Sequence, residues 1–206
     1  MLDDNTALAA LESGEVDIVY ATPELADKHV EGCKLFDIES NDVRGLSMPY
    51  PKKGEITDSP DGHPVGNDIT SNPIIRRALN MGMDRQRVVD IALNGHGKPA
   101  YSVIDGTPYW NPESMIIDND PEGAKRLLDE AGWKVGTDGV REKDGQKAEF
   151  DLYYATNDLL RTNVAIEAAN QAKNLGIKIN LVGSNWEEMA TKSHEVALLY
   201  AGGRHN

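Results

Sequence analysis

Apolar side chains recur at helical spacing between residues 71 and 95, and the pattern predicts two consecutive helices there. Each predicted helix has a capping side chain before its first turn and a glycine near its end, which are common boundary signals. The spacing alone predicts a buried helical hairpin. The boundary residues are Ser71 or Asn72 with Pro73 and Gly82 for the first helix, and Asp84 and Asn94-Gly95 for the second.

A strand, a helix and a second strand in residues 148–182 form the clearest fold signal. Alternating apolar residues mark the two strands, and Gly176 ends the helix between them. A helix of this length joins parallel strands through a right-handed crossover. Another helix is predicted after Asp120, and Trp133 behind it is expected to anchor the core.

Shorter apolar runs predict the remaining elements, which are strands wherever apolar and polar positions alternate. The Asp144-Gly145 turn is expected to join strand 140–142 to strand 148–154. A composition rich in Pro, Gly and Asp predicts an irregular loop over residues 51–67. The other predicted elements are a helix that Gly14 ends, a strand at 16–20, a helix from Thr22 to about His29, and strands at 34–38, 43–50 and 196–201.

Residues 95–111 lack helical periodicity and are punctuated by Gly and Pro, which predicts a turn-rich segment. Tyr101, Tyr109 and Trp110 lie in this segment. Aromatic side chains on loops can line a ligand site, or they can pack down over the core. The residues alone leave both interpretations open.

The charge balance argues against a polyanionic partner. The chain has 206 residues, 39% of them hydrophobic, and a formal net charge of −13, so binding to nucleic acid or to an acidic membrane surface is not expected. The single cysteine, Cys33, excludes an internal disulfide. His29 lies four residues before it, but Gly32 is expected to end the helix between them, which argues against a metal site.

Catalytic motifs are absent from the sequence. It has no nucleophile elbow, P-loop, dinucleotide fingerprint, zinc-protease motif or C-x-x-C pair. Ser193 and His194 are adjacent, and neighbouring side chains point in different directions, so they do not form a dyad. The sequence therefore does not indicate an enzyme, and no resident cofactor is expected.

One long segment resembles a known family. N-P-I-I-R-R-A-L-N-M-G-M-D-R-Q-R-V-V-D, followed by N-G-H-G-K-P-A, is similar to the signature of extracellular solute-binding proteins of the oligopeptide, dipeptide and nickel class (family 5). These proteins are the capture subunits of ABC importers. D-P-E-G-A-K-R-L-L-D-E-A-G-W resembles a further stretch of the family, and the resemblance covers most of the chain. The matching signature residues are Arg77, Ala78, Leu79, Asp84, Arg85, Val88, Gly95, Gly97, Pro99 and Ala100.

The resemblance implies an α/β fold: a periplasmic-binding-protein-like (type II) lobe with a mixed β-sheet flanked by helices. Residues 1–45 would be the tail of the first lobe with the crossover strand, and residues 46–206 a truncated second lobe. The chain has no export signal and no apolar run long enough to span a bilayer. On this interpretation it is a fragment that lacks most of one lobe.

The implied function is that of the substrate-binding component of an ABC transporter. It would capture a peptide-like solute or a nickel or other metal chelate and deliver it to the permease subunits in the membrane. The full-length protein would be extracellular, as a cell-surface lipoprotein or in the periplasm, and a Ni²⁺ chelate would be transported ligand rather than cofactor. The alternative is a stand-alone sensor or interaction domain that reuses the same lobe.

The resemblance also points to ligand contacts. In peptide binders of the family, an aspartate follows the strand that corresponds to V-A-L-L-Y-A and pairs with the peptide's amino group. Here Arg204 and His205 stand near that place, which favours an anionic solute or a metal chelate, since Arg suits a carboxylate and His a transition metal. A frayed terminus is the other interpretation. The predicted cleft residues are Tyr101, Tyr109, Trp110, Tyr200, Arg204 and His205, with His205 also a candidate metal ligand.

Overall fold

The computed structural model describes residues 4–40, 42–57 and 59–202. A short 3₁₀ helix, Pro112–Ser114, interrupts the long connection before the fifth helix. The helices are α1 (Asp4–Glu12), α2 (Pro23–Ala26), α3 (Pro73–Gly82), α4 (Arg85–Ala92), α5 (Pro121–Glu130), α6 (Leu159–Asn174) and α7 (Trp186–Lys192). The strands are β1 (Val43–Ser47), β2 (Lys134–Val135), β3 (Arg141–Lys143), β4 (Gln146–Lys147), β5 (Glu149–Ala155), β6 (Lys178–Ser184) and β7 (Ala197–Gly202).

A four-stranded mixed sheet with the order β1-β7-β5-β6 forms the centre of the structure. β5 is parallel to both β6 and β7, so the predicted strand–helix–strand unit is confirmed. β1 closes the other side of the sheet antiparallel to β7, with Gly45 opposite Tyr200 and Ser47 opposite Leu198. The predicted mixed sheet flanked by helices is therefore confirmed.

The main core lies between one face of this sheet and the helices α3, α5 and α6. Side chains at alternate strand positions point into it because successive residues of a strand face opposite sides. Trp133 is 2% exposed, which confirms it as a core anchor. The largest of the other fully buried side chains in this core are those of Ile75, Leu128, Leu152, Leu175, Ile177 and Leu199.

Short polar side chains cap the helices as the sequence predicted. Asn72, rather than Ser71, accepts a hydrogen bond from the backbone N–H of Ile74 at 2.9 Å. Asp84 and Asp120 cap α4 and α5 in the same way, at 2.9 and 2.8 Å. Each cap satisfies a backbone donor that the first helical turn leaves free.

The predicted hairpin between strands 140–142 and 148–154 is wrong in its second strand. The Asp144-Gly145 turn, with φ values of 52° and 79°, instead joins β3 to the two-residue strand β4 in a small separate sheet. The chain leaves that sheet at Ala148, which bonds to Arg141 through its N–H and to Lys178 through its carbonyl. The next residues therefore pair in the main sheet as β5.

Two predicted strands, 16–20 and 34–38, are absent from the structure. Both segments are irregular, and their apolar side chains are open to solvent, with Ile18 88% and Phe36 69% exposed. A strand needs the backbone of a neighbour to pair with, and the described part of the chain offers them none.

Two other predicted elements are present but shorter than expected. The predicted helix 22–29 is reduced to α2. The predicted strand 43–50 ends at Ser47, shortly before Pro49, whose missing N–H cannot take part in strand pairing.

Candidate functional site

The carboxyl ends of the parallel strands β5, β6 and β7 lie along one edge of the main sheet. α6 starts after β5 behind the capping Asp158, and α7 starts after β6 behind the capping Asn185. In open α/β sheets, ligands bind outside the carboxyl ends of the strands, because loops and helix N-termini converge there. This carboxyl edge is therefore the candidate site.

Two aromatic rings meet at the carboxyl edge. The rings of Trp186, the first residue of α7, and Tyr200, on β7, are in edge-to-face contact, with centroids 6.3 Å apart and planes at 81°. The Arg161 guanidinium lies 4.9 Å from the Trp186 ring centroid and pairs with Asp158. Trp186 is 40% exposed and Tyr200 52% exposed, so both rings keep surface available for a ligand.

An open groove of about 430 Å³ runs beside this ring pair, between α7 and the strands β1 and β7. Strand pairing explains its lining: Ser47 lies opposite Leu198, and Tyr200 is two residues farther along β7 on the same face. The lining is largely apolar with three hydroxyl groups. It consists of Ser47, Trp186, Met189, Ala190, Ser193, Leu198 and Tyr200.

Tyr101, a predicted cleft residue, is held by its neighbours. Its hydroxyl donates to Asp118 Oδ1 at 3.3 Å, and the Arg85 guanidinium lies 5.0 Å from its ring centroid. Arg85 also pairs with Asp118 at 3.2 Å. Burial, and then the Asp118 carboxylate, raise the pKa of the Tyr101 hydroxyl above its usual value. These contacts tie the turn-rich segment to the start of α4, and a ligand role for Tyr101 stays a prediction.

The other predicted residues are placed differently. Tyr109 is 85% exposed, whereas Trp110 is half-buried and its indole N–H has no hydrogen-bond partner among the described residues. Tyr200 reaches Trp186 and not the three aromatics of the 95–111 segment, so the structure does not gather the predicted set into one cluster. Arg204 and His205 lie outside the described residues.

Sequence reasoning missed Trp186 and Arg161 as site residues. Each lies in the first turn of a helix that follows a parallel strand. The rule that ligands bind at the carboxyl ends of parallel strands, applied to the predicted strand–helix–strand unit, would have pointed to both positions. Their contact with each other could not be read from the chain, because 25 positions separate them.

Within the described ranges, no group of three or more His, Cys, Asp or Glu side chains is arranged to hold a metal ion. Cys33 is exposed. None of the helices in those ranges is both long and apolar enough to cross a membrane.

Known proteins are similar to this chain in sequence and in fold. The model of the family described as "Bacterial extracellular solute-binding proteins, family 5 Middle" matches residues 1–204. Protein XP55 of Streptomyces lividans is 34% identical over 199 residues, which are 96% of this chain and 34% of that protein. The oligopeptide-binding protein AppA of Bacillus subtilis is 27% identical over 192 residues, which are 91% of this chain and 33% of AppA.

A solved structure gives the fold comparison. NikZ from Campylobacter jejuni in complex with Ni(L-His) superposes with a TM-score of 0.76 and 25% identity, covering 100% of this chain and 39% of NikZ. The chain thus spans about a third of the length of the curated relatives it matches. Its architecture is that of a periplasmic-binding-protein-like (type II) lobe.

Proposed function

Because the chain belongs to the bacterial extracellular solute-binding proteins of family 5, we propose that it forms one lobe of the substrate-binding component of an ABC importer. Residues 1–45 are the tail of the first lobe with the crossover strand, and residues 46–206 are the second lobe. The two lobes close over a small solute and deliver it to permease subunits in the membrane. The protein acts outside the cell, in the periplasm or as a cell-surface lipoprotein.

The Trp186–Tyr200 ring pair beside the open groove is the observation that carries this proposal. Aromatic rings provide a large contact area at small entropic cost, and these two are half exposed at the sheet edge where ligands of α/β sheets bind. The groove is open on one side, so a second surface must cover the solute. The first lobe provides that surface.

The solute is a peptide-like molecule or a nickel or other metal chelate. Two relatives support these classes by their names: AppA is an oligopeptide-binding protein, and NikZ was solved with Ni(L-His). Arg204 and His205 favour an anionic solute or a chelate, with the His205 imidazole as a metal ligand. Tyr101, Tyr109 and Trp110 of the turn-rich 95–111 segment stay predicted solute contacts.

The test is a calorimetric titration of the two-lobed protein with Ni²⁺ plus L-histidine and, separately, with a dipeptide mixture. Trp186→Ala and Tyr200→Ala are each expected to weaken binding of the preferred solute by about tenfold or more, because each removes about 1–3 kcal/mol of ring contact. Val135→Ala truncates an exposed apolar side chain on β2, in the separate sheet, and should leave the affinity unchanged.

Arg204→Ala and His205→Ala separate the solute classes. Both should weaken binding of an anionic chelate, with the larger loss for His205→Ala when Ni²⁺ is present. If Trp186→Ala and Tyr200→Ala bind both solutes as tightly as the unmodified protein, the groove is not the solute site and the proposal is wrong.

A further inference from the structure

The segment from Asp27 to Ser40 rests on the rest of the protein with little apolar burial. It has no regular helix or strand, and almost all its side chains are exposed. Phe36 and Ile38, its large apolar residues near the carboxyl end, are 69% and 81% exposed. Hydrophobic packing therefore does not hold the segment in place.

Asn94, His96 and Lys98, in the loop that follows α4, make polar contacts with this segment and with α2, which precedes it. Asn94 Nδ2 donates to the carbonyl of Pro23 at 3.4 Å. At the other end of the loop, Lys98 Nζ donates to Glu39 Oε2 at 2.8 Å. The Lys98–Glu39 pair is exposed on both sides, at 71% and 74%, so solvent screens it and it contributes little.

His96, between these two residues, makes the central contact. Its Nε2 lies 3.1 Å from Asp27 Oδ1, and its Nδ1 lies 3.1 Å from Asp37 Oδ2. Its side chain is 20% exposed, whereas the two aspartates are 65% and 68% exposed. One imidazole ring thus bridges the two ends of the segment.

The bridge needs a protonated ring. A neutral imidazole carries one N–H, so one of its two nitrogens would present a lone pair to a carboxylate. The imidazolium donates to both carboxylates and adds charge attraction. Residues 1–45 carry eleven acidic and three basic side chains, so this part of the chain needs cations from outside to hold it.

We propose that His96 is a pH-dependent latch that docks residues 27–40 on the 94–98 loop when its ring is protonated and releases them when its ring is neutral. The charged groups that act on His96 are the carboxylates of Asp27, at the end of α2, and Asp37, in the segment. This proposal is independent of which solute the protein binds.

The direction of the pH dependence follows from linkage. The hydrogen bond with Asp37, and then the one with Asp27, raise the pKa of His96 above its ordinary value of 6.5. A raised pKa in the docked state means that docking is favoured most below pH 6.5 and weakens as the pH rises through the raised pKa.

Cys33 makes the test direct, because the protein's single cysteine is exposed and lies within the latched segment. A nitroxide spin label on Cys33 reports the mobility of the segment. Between about pH 5 and about pH 8, the ratio of mobile to immobile label should rise by about three- to fivefold, as expected for the loss of two exposed ion pairs. The midpoint should lie above 6.5, the ordinary pKa of His96.

Variants assign the effect to His96. His96→Gln should give a mobile label with no transition, and Asp37→Asn should move the midpoint down toward 6.5. His29→Gln is the matched control, because His29 is an exposed histidine of the same segment, and it should leave the transition unchanged. Circular dichroism confirms that each variant is folded. A label whose mobility does not change with pH, or a transition that persists in His96→Gln, would overturn the proposal.

Discussion

A single buried arginine joins three elements of the structure. The Arg141 side chain is 3% exposed; its Nη1 donates to Asp129 Oδ1 at 2.6 Å and to the Trp133 carbonyl at 2.7 Å, and its Nε donates to the Leu175 carbonyl at 2.8 Å. The guanidinium holds the pKa of the Asp129 carboxyl below its usual range. β3, the end of α5 and the end of α6 are therefore linked through one side chain.

Removing this side chain should destabilise the fold strongly. Arg141→Ala leaves two buried carbonyl groups without a donor, and we expect a loss of about 2–4 kcal/mol in the free energy of unfolding, measured by urea denaturation. Arg141→Lys should retain only part of the stability that Arg141→Ala loses, because the lysine ammonium cannot reproduce the planar, forked donor geometry of the guanidinium group. Arg126→Ala, an exposed arginine on α5, should change the value by less than about 0.5 kcal/mol. Equal effects of Arg141→Ala and Arg126→Ala would contradict this account.

At the scale of elements, a close approach of α3 to α5 and α6 depends on a glycine. A Cβ placed on Gly82 would lie 2.6 and 2.7 Å from the two Cδ atoms of Leu175 and 3.0 Å from the Cβ of Ala124. Leu175 can rotate to some extent, but the Cβ of Ala124 is fixed by the backbone of α5. The last turn of α3 is thus seated against the other two helices.

Gly82→Ala tests this packing. Overpacking of a dense core lowers the free energy of unfolding by about 1–3 kcal/mol, whereas the higher helix propensity of Ala raises it by about 1 kcal/mol or less. We therefore expect a net decrease of about 1–2 kcal/mol in the free energy of unfolding. Gly45→Ala on β1 is the control, since a Cβ there meets nothing within 4 Å. Urea denaturation of both variants gives the comparison. A Gly82→Ala protein as stable as the unmodified one would mean that the three helices pack less closely than described.

Element boundaries show why sequence reasoning succeeded in some places and failed in others. The starts of α3, α4 and α5 were predicted because capping by Asn72, Asp84 and Asp120 acts within three residues of the cap. The strands predicted at 16–20 and 34–38 failed because alternation of apolar residues shows that a segment could pair, not that a partner is present. Pairing is a long-range property.

At the scale of the whole molecule, the open groove predicts weak binding by this chain alone. On the proposed lobe assignment, this chain contacts only one side of the solute, and the contacts of the other lobe are needed to offset the entropy lost on association. We expect calorimetry of the 206-residue chain with Ni²⁺ plus L-histidine, or with dipeptides, to show a Kd weaker than about 1 mM.

The two-lobed protein is the reference for that experiment. It should bind its solute at least 100-fold more tightly than the 206-residue chain does, a difference of about 2.7 kcal/mol in binding free energy. Micromolar binding by the 206-residue chain would show that this chain is sufficient to bind the solute without a second lobe. The lobe assignment would then need revision, even if the Trp186–Tyr200 groove remained the binding site.

The sequence by itself determined the helix starts, the parallel strand–helix–strand unit and the core position of Trp133, because caps, prolines, glycines and apolar spacing act over a few neighbouring residues. The family was identified by the resemblance of longer sequence motifs. Only the tertiary structure decided that β7 lies between β1 and β5, that Trp186 meets Tyr200, and that His96 reaches two aspartates nearly sixty and seventy residues away. Those contacts depend on which distant surfaces pack together, and the net energy of packing is a property of the folded chain rather than of any one segment.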